Sequence, residues 1–325
     1  NGSDSGWIGR YMEHAYADLI PANYPLGIQI GSQNTNLGFH GIVEHGLALN
    51  INGQDSENFY SILSGLGGDP PENIPNSHYG TELQNIINVD ALSNQYSQVI
   101  SNAFNSGSNN STTTYPDTNL ADQLKTVARL MRGGIESKIF MVKLGGFDTH
   151  NNQNQASGDI QGKHNELMSE LSGAIEAFMS DLNADSLADD VLGITFSEFG
   201  RQIASNASYG TDHGDAAPMF LFGACINSGI IGPNPTIGSS LPDQAGINMQ
   251  IDFRDVYASI LRDWFQVPTN EVQQLFAHQV QFYSLAGTCN VSLDEQALAN
   301  GSMVVYPNPT PSSVHVKVNL EEGRS

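Results

Sequence analysis

A short apolar run, Lys138-Ile139-Phe140-Met141-Val142-Lys143-Leu144, is followed at once by Gly145-Gly146 and then by Phe147-Asp148-Thr149-His150. The run is rich in strand formers and reads as a buried strand of an α/β sheet. The glycine pair frees the backbone to turn. Asp148 and His150 are one residue apart, and residues i and i+2 of an extended chain point to the same side. A carboxylate and an imidazole therefore leave the carboxyl end of a strand together, where open α/β sheets bind ligands. Oxygen and nitrogen donors suit a divalent transition metal. The plainer alternative makes Asp148 a helix cap and His150 a surface residue.

Elements on either side extend the pattern. The spacing predicts helices over Trp7–Tyr16, about Thr81–Phe104, Asn119–Arg132 and about Ile160–Leu182. Leu26–Gly31, Val191–Phe196 and Pro218–Gly223 read as strands. Helix, strand, helix, strand in that order argues for parallel βαβ units. Val191–Phe196 ends in Ser197-Glu198-Phe199-Gly200-Arg201, so Glu198 is expected near Asp148 on the same sheet edge, or as a solvated loop residue. Gly210-Thr211-Asp212-His213-Gly214 is either an Asx turn or a third cluster, one of Asp212 and His213 ligating while the other supports a ligand. His164, at the start of a Leu-rich stripe, is expected in the core or beside the site rather than on the metal. His40 and His45 read as surface histidines, and Asp252 and Arg254 as a helix cap and ion pair ahead of a Val256–Phe265 helix, with a further short helix from Thr269.

Charge narrows the partners. Charged residues make up 14% of the 325, against a usual share of ~25%, and the net charge is -22. Such a chain repels phosphate backbones, which argues against nucleic acid. A small anionic substrate requires metals that reverse the local field. No apolar run approaches the ~18 residues of a membrane span. Cys225 and Cys289 are either one disulfide or two buried thiols.

The stretches GGFDTHNNQ (145–153), His164 with its helix, TFSEFGRQIASN (195–206), GTDHG (210–214), DFRDVYASILRDWF (252–265) and GWIGRYM (6–12) together resemble the bacterial secreted proteins of domain-of-unknown-function family 1501, over about residues 6–285. That family resembles the alkaline phosphatase-like superfamily, which includes sulfatases and metal-dependent phosphomutases. The resemblance implies a doubly wound, mostly parallel α/β sheet with helices on both faces, spanning residues 1–290. It implies one or two divalent ions, zinc or manganese, with calcium or magnesium as alternatives. Asp148, His150 and His213 would hold one ion, and Glu198 a second. Asp212, Asn206 and His164 would stand in or near the ligand set. Arg201 would hold a substrate oxygen, with Glu198 taking part in catalysis. Relative to the family's amino-terminal Asn-Asp-Gly-Leu-Asn-type motif, the chain starts late. One strand, one metal ligand and the nucleophile are thus expected to be missing, and Ser3 and Ser5 are not assigned that role.

Beyond a linker at 291–302, Tyr306-Pro307-Asn308-Pro309 and the alternation Val314, Val316, Val318, Leu320 resemble the opening of a carboxy-terminal sorting domain of type IX secretion, a small β-sandwich of which 303–325 supplies one or two strands. That implies export through the periplasm to the surface or medium and a type IX machinery as partner. Two functions follow: a metal-dependent hydrolase of phosphate or sulfate esters, whether small anionic molecules or sulfated or phosphorylated polymers, and an exported non-catalytic protein that binds polysaccharide on a hydrolase-derived fold.

Overall fold

The computed structural model describes residues 5–17, 23–31, 37–42, 48–51, 74–155, 161–242, 245–287, 303–306 and 315–318. His45, Ser3, Cys289, the 291–302 linker and the Pro-Asn-Pro segment at 307–309 lie outside them. Two compact units divide the chain, one of residues 1–145 and 168–181, the other of 146–167 and 182–325.

In the first unit, α1 (Trp7–Ala15) buries Tyr11 and Met12. Strand β1 (Gly27–Ile30) is buried along its whole length. It pairs in parallel with β2 (Ala48–Ile51) and with β3 (Ile139–Met141), giving the order β2-β1-β3. As the described edge of that sheet, β3 is half-buried rather than buried. The long α2 (His78–Ser106) starts from Ser77, whose side chain accepts the Gly80 N–H. Helix α3 (Asn119–Arg132) begins and ends where the sequence says it should. Thr118 caps it through the Ala121 N–H, Asp122 sits in its first turn, and Arg129 and Arg132 sit in its last. It buries Leu120, Leu124, Val127 and Leu130, each contributing about 1.5–3 kcal/mol by leaving water.

A buried polar side chain on α3 fixes the exit of β3. Gln123 is 2% exposed. Its amide nitrogen Nε2 donates to the Lys143 carbonyl at 2.9 Å, and its Oε1 accepts the Lys143 N–H at 2.8 Å. The amide so stands in for a neighbouring strand and satisfies both backbone groups. Gly146 then turns the chain with φ 98°, a conformation disfavoured for any residue with a Cβ.

The second unit carries the ends of α4 (Lys163–Ala184). Its strands β4 (Gly193–Ile194) and β7 (Leu221–Phe222) pair antiparallel, and β5 (Gly200–Arg201) pairs antiparallel with β6 (His213–Gly214). Among the described residues of this unit, the partner of β4 is β7, and the pair is antiparallel rather than the parallel strand expected at Val191–Phe196. The chain returns on itself through the β5–β6 ribbon, and Thr195 lengthens the β4–β7 ladder. Its N–H donates to the Phe220 carbonyl, and its hydroxyl accepts the Phe220 N–H, both at 2.9 Å. Helix α5 (Phe253–Asp263) is capped by Asp252, which also pairs with Arg254. Helix α6 (Thr269–Leu275) follows. Farther on, β8 (Met303–Tyr306) and β9 (His315–Val318) form an antiparallel pair. Cys225 is disulfide-bonded, and Cys289 is the only other cysteine in the sequence. Among the described residues, no helix is long and apolar enough to cross a membrane.

Candidate metal centre

Three pieces of the second unit build the site: the Asp148–His150 loop, the β5–β6 ribbon and the loop between its strands. In the ribbon Arg201 lies directly opposite His213. Residues opposite each other on an antiparallel pair project to the same face. Both reach one atom. Arg201 Nη1 donates to Asp148 Oδ1 at 2.7 Å, and His213 Nε2 lies 2.9 Å from the same oxygen. His150 Nε2 is 3.0 Å from it. Asp148 and His150 thus meet at one point from a loop in which the Thr149 N–H closes a tight turn on the Phe147 carbonyl, not from extended strand. One ligand atom from each of Asp148, His150 and His213 lies within 4.8 Å of the others.

Asp212 supports rather than joins that group. Its Oδ1 lies 3.1 Å from His150 Nδ1, so both ring nitrogens of His150 face a carboxylate. To donate to both, the ring would have to carry two protons. With a cation at Nε2 it needs only the Nδ1 proton, the arrangement by which a carboxylate fixes the tautomer of a ligating histidine. Arg201 draws the Asp148 carboxyl below the ordinary range, aided by His213. His150, then Asn206, does the same for Asp212.

The loops that carry these groups are fastened underneath. Thr149 and Thr211 are buried, and both hydroxyls donate to Gln153 Oε1 at 2.7 Å. Arg201 Nε donates to the Thr211 hydroxyl, lengthening the chain of hydrogen bonds, and Nη2 donates to the Thr211 carbonyl. Asn206 donates through Nδ2 to the His150 carbonyl at 2.8 Å and accepts the Ser208 and Gly210 N–H groups on Oδ1. Gly210 is required by close approach: a Cβ there would lie 2.3 Å from the His150 backbone. The cluster itself stays open to solvent, with side chains 54% exposed at Asp148 and 48% at both histidines.

The expected site residues divide accordingly. Asp148, His150, Asp212, His213, Arg201 and Asn206 come together. Glu198 does not join the convergent ligand atoms and is exposed. It stands at a bend just ahead of β5. Arg201 bonds Asp148 and Thr211 through one N–H on each of its three nitrogens, which leaves the second N–H of Nη1 and of Nη2. His164, expected in the core or beside the site, is exposed and edge-on to Phe147, the neighbour of Asp148, with ring centroids 6.4 Å apart. Gln153, Thr149 and Thr211 also belong to the site, although no sequence signal marks them. All three lie inside the motifs singled out above, and their small or neutral polar side chains carry no metal-ligand signature.

The donor set fits a cation. Ligands about 2.1 Å from one ion stand roughly 3.0 Å apart at right angles and roughly 3.4 Å apart in a tetrahedron, and Asp148 Oδ1 lies 3.0 and 2.9 Å from the two histidine nitrogens. Two imidazoles favour a borderline transition ion over calcium or magnesium, which prefer all-oxygen shells. A family model described as Protein of unknown function (DUF1501) matches residues 89–276, a stretch that contains every residue of the cluster. Neither a curated protein nor a solved structure matches the chain.

Proposed function

Starting from the DUF1501 family, to which the chain belongs, we propose that it is a metal-dependent hydrolase-like protein acting on phosphate or sulfate esters. One observation carries the reading: Asp148, His150 and His213 converge on one point while Asp212 orients His150 from behind. An ion of the zinc or manganese type held there would supply positive charge and Lewis-acid polarisation to an anionic ester. The residues do the rest. Arg201 offsets the charge of Asp148 and holds it on the ribbon face. Asp212 keeps the proton on His150 Nδ1. Open side chains leave room for a substrate beside the ligands. Three parallel strands in the order β2-β1-β3 are compatible with a part of the doubly wound sheet we propose.

Turnover of an aryl phosphate or aryl sulfate by the full chain with Zn²⁺ or Mn²⁺, abolished by His213→Ala, tests the proposal. Metal binding without turnover of either ester would refute the hydrolase. It would leave the second reading, an exported binding protein. That alternative is favoured by the position of Glu198, which is exposed and stands outside the convergent ligand atoms. Export itself we propose from the resemblance of the 303–325 segment to a sorting domain. The disulfide at Cys225 supports an oxidising compartment.

A further inference from the structure

The two histidines of the cluster are held by different means. His150 is oriented by the Asp212 carboxylate at its Nδ1. His213 has no such partner: among the described residues its hydrogen-bonding contact is the one from Nε2 to Asp148. Its ring instead lies flat on Phe199, with centroids 3.6 Å apart and planes at 15°. Strand geometry explains the stack. Phe199 is two residues before Arg201, which stands opposite His213 in the β5–β6 ribbon. Phe199, Arg201 and His213 therefore share one face, Phe199 and His213 as diagonal neighbours within reach of large side chains. The Arg201 guanidinium carbon lies 5.9 Å from the centre of the same phenyl ring.

We infer that Phe199 is the positioning residue for His213, doing by ring stacking what Asp212 does for His150 by a hydrogen bond. A histidine side chain that is 48% exposed and bonded at one nitrogen swings about two side-chain torsions. The phenyl face removes that freedom by fixing the ring plane, and Asp148 then selects Nε2 as the inward atom. A cation on His213 makes the ring electron-poor, which strengthens its attraction to an aromatic face. The inference rests on the metal reading above, but its test separates the two.

The full chain is titrated with Co²⁺ by calorimetry and by the visible absorption of the bound ion, for the unsubstituted protein, Phe199→Leu and Phe199→Tyr. The expected result is affinity lowered about 10-fold or more in Phe199→Leu, the range seen when a group that orients a ligand is lost. Phe199→Tyr, which keeps the ring, is expected within about 3-fold of the parent. Thermal unfolding of the metal-free variants checks that the fold is kept. Should Phe199→Leu not fold, Phe199→Met takes its place under the same criteria. Parental affinity in the aliphatic variant would overturn the inference, as would a tyrosine variant as weak as the leucine one. Absence of cobalt binding by the parent would remove the metal centre itself, and the inference with it.

Discussion

The chain holds two clusters made from nearly the same groups, and they differ in burial. In the first unit, Asp181 is 1% exposed and pairs with Arg132, which is 11% exposed. Tyr115 donates to the Asp181 carboxylate at 2.6 Å, and burial together with that bond pushes the Tyr115 phenol well above its ordinary range. In the second unit, Asp148 pairs with Arg201 and two histidines, yet lies 54% exposed. Removing one partner from a buried pair strands a charge in a poor solvent. An exposed pair gains little from its attraction, because water and salt screen it. The Asp181 cluster therefore explains itself as structure. The Asp148 cluster does not, because its convergence contributes too little to folding to account for four polar groups aimed at one point. That contrast supports a ligand as the reason for the second cluster.

The largest expected effect breaks the buried side. Asp181→Ala should cost about 3–5 kcal/mol in urea unfolding, whereas Asp148→Ala should shift the metal-free midpoint only slightly. Comparable losses in both would erase the distinction. Next, Asp212→Asn should weaken Zn²⁺ or Co²⁺ binding roughly 10–100-fold without changing metal-free stability, since it acts on the orientation of His150. Equal affinity in a competition titration would remove Asp212 from the centre.

Gly210→Ala comes third. Its methyl group must displace the His150 backbone, at a typical overpacking cost of about 1–3 kcal/mol, and the histidine should move with it. Chemical denaturation and metal affinity, measured on the same sample, would both have to fall.

The smallest effect is on pH. Asp148 is held below its ordinary value first by Arg201 and then by His213. A depressed carboxylate contributes stability above its unfolded value of about 3.9 and loses it as pH falls through the lower folded value. Unfolding curves of the parent and Asp148→Asn should therefore differ slightly at neutral pH, converge under more acidic conditions, and converge also in high salt. A gap that widens on acidification would contradict the sign.

Much of this was legible in the sequence where local signals agreed. Helix α3 is bounded by Thr118 and Gly133 in the sequence and in the structure. The Asp148–His150 spacing marked the pair as candidates, but the extended chain expected there is a tight turn, closed by the Thr149 N–H on the Phe147 carbonyl. The ribbon was not legible. Two-residue strands such as Gly200–Arg201 and His213–Gly214 leave no periodicity to read, so the register that sets Arg201 against His213 was hidden. The same register hid the aim of Glu198, which a longer parallel strand would have sent toward Asp148. Gln153 and Phe199 act through what they touch across the fold, and nothing in their immediate neighbours advertises it.

The central claim is that Asp148, His150 and His213 form one cation site. Its most direct measurement is the metal content of the full chain after equilibration with Zn²⁺ and gel filtration, beside His150→Ala and His213→Ala. One tightly held ion per parent chain, and none in either variant that keeps its fold, is the outcome predicted. A parent chain that emerges without metal, or variants that retain the ion, would contradict it.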